Sequence, residues 1–150
     1  MPLSSNRIWY TRIAELAERL CDGGVQEEPA CLREAIALFS AAPAGQKGRF
    51  ARLPSTQVLE MLIAADAGES AALALLPQDA AYIVSRGTNG IHLASVMLDG
   101  IDEEVAAEAS TAGLAILAAF AGALLHAAPL PLVPADPASL GPRVDIRCLH

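Results

Sequence analysis

Lysine is nearly absent from this chain, aromatic residues are few, and its cysteines form no close pair. Lys47 is the one lysine among 150 residues, and the acidic side chains outnumber the basic ones for a net charge of −7. That balance repels nucleic-acid phosphate, which disfavours DNA or RNA binding by bulk electrostatics. Aromatics make up 4% of the chain, too few for a base-stacking surface. Cys21, Cys31 and Cys148 are an odd set without CxxC spacing, the pattern of reduced thiols in a cytoplasmic protein. The first residues carry no basic stretch ahead of an apolar run, so no secretory signal is expected.

Catalytic signatures are missing as well. There is no GxSxG, no GxxxxGK[ST], no GxGxxG and no HExxH. Cys21 and Cys31 with the terminal Cys148-x-His150 lack the close ligand pairs of a structural zinc site, and Glu104 and Glu108 have no ExxH partner for a di-iron site. No metal and no cofactor are therefore expected, and an enzyme is the weaker reading.

What the chain has is apolar, small and helix-forming. Hydrophobic residues make up 53% and mean hydropathy is +0.39, with alanine supplying much of both. That composition favours closely packed helices over a large aromatic core. The expected class is α+β: N-terminal helices, a small antiparallel sheet and one long alanine-rich helix. A single domain is expected over residues 1–128, with 129–150 as a proline-rich wrapping segment and tail.

Trp9, Ile13, Leu16 and Leu20 recur as one stripe of a first helix that stops at Asp22-Gly23-Gly24. A second begins at Glu28-Pro29, carries Leu32, Ile36 and Phe39 inward, and closes by Pro43. Ala44 to Leu53 reads as a loop. Pro54-Ser55-Thr56 caps a third helix with Val58, Leu59, Leu62 and Ile63 inward, and a short helical piece follows from Ser70 to Leu76, stopped by Pro77.

Residues 81–98 change period to two around Thr88-Asn89-Gly90, the signal of a hairpin. A two-residue Asn89-Gly90 turn pairs Arg86 with Leu93 and places Arg86 and His92 on opposite faces. Asp102 to Ala128 reads as one long helix with an acidic first turn. It is long enough to span a bilayer, but two glycines, two hydroxyls and a histidine leave insertion marginal, so a membrane role is disfavoured. Its small residues Ala112, Ala115, Ala119 and Gly122 form a stripe for close packing, within the chain or across a homodimer. Five prolines mark 129–142 as extended chain, and Arg143 to Leu149 alternates as a short strand, a third one on the hairpin or one donated to a neighbour.

Two clusters stand out as candidate binding surfaces. Lys47, Arg49 and Arg52 are the one basic cluster in an acidic chain, placed to hold an anionic ligand or an acidic partner segment. Tyr82, Arg86 and His92 could line a pocket between the hairpin and the long helix if they converge. The leading expectation is a non-catalytic intracellular interaction or accessory protein that works by self-association, as a homodimer or with a protein partner. The alternative is a small-molecule-binding protein or enzyme using that pocket.

Overall fold

A computed structural model describes residues 2–128. In chain order it contains α1 (Pro2–Asp22), a 3-10 turn (Val25–Glu27), α2 (Glu28–Ser40), a 3-10 segment (Ala44–Phe50), α3 (Thr56–Ala64) and α4 (Gly68–Leu75). Then follow β1 (Ala81–Arg86), β2 (His92–Met97), β3 (Val105–Ala109) and α5 (Ala112–His126). The class is α+β, with an antiparallel sheet in the order β1-β2-β3. The proline-rich stretch and the strand expected at 143–149 lie outside the described residues.

Local chemistry explains the helices. Pro29 sits in the first turn of α2, where its missing N–H costs nothing. Ser55 caps α3 by accepting from Val58 N–H at 3.2 Å. Along α1 the stripe Trp9, Ile13, Leu16 and Leu20 is buried, as are Leu32, Ile36 and Phe39 of α2. Val58 departs from expectation: it is exposed, and α3 turns Leu59 and Ile63 to the core instead. Ala44–Phe50 is a 3-10 segment rather than an open loop, anchored by buried Phe50. Its ring joins Trp9, Tyr10, Phe39 and Phe120 in one cluster, and Trp9 Nε1 donates to Leu38 C=O at 2.7 Å. Of one tryptophan, two tyrosines and three phenylalanines, Tyr82 alone stands outside this cluster, 49% exposed.

The long helix expected from Asp102 to Ala128 is two elements. Asp102, Glu103 and Glu104 belong to the exposed β2–β3 connection, and Val105, Ala107 and Ala109 point inward from β3 with period two. Alanine favours helix in isolation, but sheet pairing with β2 and burial of alternate side chains outweigh that propensity here. The helix starts only after Thr111, whose hydroxyl accepts from Leu114 N–H at 3.1 Å.

α5 is the central post. It packs against α1, α2 and α4 on one side and the sheet on the other, and every residue from Gly113 to Leu124 is buried. Ala115, Ala119 and Gly122 are thus enclosed by the chain itself, and Ala112 is half-buried at the helix start. A close backbone approach lies beside that stripe, at Gly113. A Cβ there would meet Gly68 C=O at 2.9 Å. The Glu28 carboxylate fills the same corner, accepting from the Thr111 hydroxyl. No helix of the described residues is long and apolar enough to cross a membrane.

The hairpin turn is one residue longer than expected. Gly90 N–H donates to Gly87 C=O (3.1 Å) and Gly87 N–H to Ile91 C=O (2.8 Å), around a three-residue loop with Gly90 at φ +81°. This is a type I turn closed by a left-handed glycine, which needs one positive φ rather than two. The Asn89 side chain completes it by accepting from Ile91 N–H at 3.1 Å. Arg86 therefore faces His92, not Leu93, and every β2 side chain is flipped relative to the sequence expectation.

Candidate functional site

The corrected register divides the sheet cleanly. Tyr82, Val84, Arg86, His92, Ala94, Val96, Val105, Ala107 and Ala109 point to the α5 side. Ala81, Ile83, Ser85, Leu93, Ser95, Met97, Ala106 and Glu108 point the other way. On that second face Ile83 is 67% exposed, Leu93 41% and Met97 37%. Among the described residues nothing covers it, and Glu108 is the one charged strand residue on it.

The two edges differ. β3 lies against α1, whereas no described element pairs with β1 on its outer side. Antiparallel alternation from the Gly87–Ile91 pair directs the N–H and C=O groups of Tyr82, Val84 and Arg86 outward along that free edge. Natural edge strands are usually blunted by lysine, proline or a bulge. The run Ala81-Tyr82-Ile83-Val84-Ser85 has none of these, and Arg86 is the sole charge, at its end.

Arg86 and His92 are direct cross-strand partners on one face, contrary to the expected opposition. His92 Nδ1 is buried with no hydrogen-bond partner among the described residues. Tyr82 does not join them: it lies four residues along the strand from Arg86, roughly 13 Å at strand spacing. It opens instead into a different cavity. The space between sheet and α5 is filled by Ala94, Val96, Val105 and Ala107 packed on the helix, so the pocket expected there is closed by core.

The cavity that Tyr82 does line is about 700 Å³, between the basic 3-10 segment and the α4–β1 connection. Arg49 and Arg52 lie in its wall, with Gln78, Asp79 and Asp99. Lys47 is exposed and is not among the lining residues. Arg49 Nε donates to Gln46 Oε1 at 3.0 Å, and Gln46 Nε2 donates to the Tyr10 hydroxyl at 2.8 Å. Burial pushes the Tyr10 phenol above its ordinary pKa, against the smaller opposing effects of Gln46 and the Arg49 charge. Arg52 Nη1 donates to Gln78 Oε1 at 2.6 Å.

The two arginines stand out in the sequence as charges, whereas Gln46, Gln78 and Tyr10 do not, because they come together through contacts spanning 26 and 36 residues of chain. Among the described residues no three His, Cys, Asp or Glu side chains gather as a metal ion would require. Cys31 is a buried free thiol, its pKa raised by burial and then by the Glu34 carboxylate. No protein-family model, curated protein or solved structure matches the chain.

Proposed function

We propose that this chain is a non-catalytic self-associating module, and that β1 pairs with β1 of a second copy to complete one continuous sheet. The observation that carries this reading is β1 itself: apolar, exposed on both faces and, among the described residues, unpaired along its outer edge. A two-fold antiparallel register centred on Ile83 suits it. Tyr82 then exchanges both backbone bonds with Val84 of the other copy, using the outward-facing groups of each. Tyr82–Val84 becomes an aromatic–β-branched cross-strand pair on one face, and Ile83–Ile83 an aliphatic pair on the other.

Charge placement supports a partner of the same kind. In the order β3-β2-β1-β1-β2-β3 the two Glu108 carboxylates stand five strand spacings apart, about 24 Å. That exceeds the screening length of about 8–10 Å, so they do not oppose association. An isologous contact of this type closes with two copies and leaves no further β1 edge open.

Light scattering after size exclusion tests the proposal. The chain should run at twice its 15.5 kDa. Ile83→Lys should run at the single-chain mass, because it sets two like charges side by side across the two-fold. Ile83 is largely exposed within one chain, so that variant should keep the circular dichroism of the parent. A wild-type chain at single mass over the whole accessible concentration range would overturn the reading.

A further inference from the structure

We infer that the cavity beside the basic 3-10 segment binds a small organic anion, a phosphate- or carboxylate-bearing molecule with hydroxyl or amino groups. This does not rest on the self-association proposal: the two arginines and their partners Gln46 and Gln78 lie outside β1, and Tyr82 is the residue the two readings share.

The inference rests on how the two arginines are held. Two arginines elsewhere meet acids: Arg19 pairs with Glu34, and Arg33 forms a forked contact with Glu60 at 3.0–3.2 Å, whereas Arg7, Arg12 and Arg86 have no acid partner among the described residues. At the cavity both arginines have neutral partners. Arg49 is given the Gln46 carboxamide and Arg52 the Gln78 carboxamide. A neutral amide orients a guanidinium without cancelling its charge, so each arginine keeps N–H donors for an incoming anion, with Asp79 and Asp99 of the same wall offsetting part of the attraction. Gln46 is in turn fixed by its hydrogen bond to the Tyr10 hydroxyl at 2.8 Å. Arg49 is half-buried, which strengthens its field relative to an arginine in open water.

The rest of the wall narrows the ligand class. A volume of about 700 Å³ suits a metabolite rather than a bare inorganic ion. Leu53 and Leu76 supply apolar contact, and the Tyr82 ring is available for stacking or its hydroxyl for a hydrogen bond. Asp79 and Asp99 add acceptors for hydroxyl or ammonium groups and repel a ligand that is negative along its whole length. A compact molecule with one anionic end fits; a polyanion does not.

Three six-carbon polyhydroxy probes separate the possibilities: glucose 6-phosphate, gluconate and glucose, titrated into the full chain and followed by amide chemical shifts. Either anion should shift the amides of Arg49, Arg52 and Gln78, with neutral glucose silent. Response to the phosphate alone or to gluconate alone assigns the anionic group. Arg52→Gln, an exposed position, should weaken binding about tenfold or more. Arg49→Gln should do the same, and Lys47→Gln should change affinity by less than about threefold, as an exposed charge outside the wall. The inference is overturned if neither anion shifts these amides at concentrations that would saturate a site of about 1 mM Kd. It is equally overturned if affinity is indifferent to both arginines.

Discussion

Replacing Gly113 with alanine should destabilise the fold by about 1–2 kcal/mol, although alanine is the better helix former by up to about 1 kcal/mol. A Cβ at that position would lie 2.8 Å from a Glu28 carboxylate oxygen, 2.9 Å from Gly68 C=O and 3.1 Å from the Gly68 carbonyl carbon. The carboxylate could swing aside only by giving up its bond from Thr111. The Gly68 carbonyl is backbone, so α4 as a whole would have to retreat from α5. Inserting one carbon into such a contact typically costs ~1–3 kcal/mol, from which the propensity gain is subtracted. Urea unfolding in the Ile83→Lys background measures the effect free of the concentration dependence that association adds. Gly45→Ala is the control: nothing lies within 4 Å of its added Cβ, and its effect should stay within about 0.5 kcal/mol. A Gly113→Ala protein as stable as the parent would show that α4 and α5 do not meet at this separation.

The same corner makes Thr111 sensitive: Thr111→Val removes the cap on Leu114 N–H and strands the Glu28 carboxylate, so urea unfolding should report a loss of about 1–2 kcal/mol. An unchanged midpoint would contradict the cap. Cys31 has its thiol pKa raised in the fold, so the native state holds the proton that the unfolded chain releases first. Its contribution is complete below the ordinary thiol pKa of about 8.5 and declines as pH rises through the higher native value. Iodoacetamide should therefore label native Cys31 far more slowly than the unfolded chain above about pH 8.5, and equal rates would refute its burial.

The sequence was most legible where one local rule decides. The α1 stripe, Pro29 at the start of α2 and the Ser55 cap follow from periodicity or from a single unpaired N–H. It was least legible where a distant contact decides. Val105 to Ala109 is alanine-rich and reads as helix, and only pairing with β2 makes it strand. Asn89-Gly90 announced a hairpin correctly, yet Gly90 closes a three-residue loop from the left-handed region, which reversed the relation of Arg86 to His92. The cavity shows the same division. Arg49 and Arg52 stood out as charges, whereas their neutral partners Gln46 and Gln78 are unremarkable in sequence. Gly113 carried a signal that was readable but unused: a glycine inside the first turn of a helix, where alanine would serve better unless another backbone is close.

Hydrogen exchange of the β1 amides at two protein concentrations tests the pairing most directly. Ile83 and Ser85 N–H groups bond to β2 within one chain and should be protected at any concentration. The outward-facing Tyr82 and Val84 amides should gain protection as concentration rises, in step with the dimer mass, and lose it in Ile83→Lys. Tyr82 and Val84 amides that exchange freely at every concentration would contradict the account, as would protection that does not change on dilution into the single-chain range.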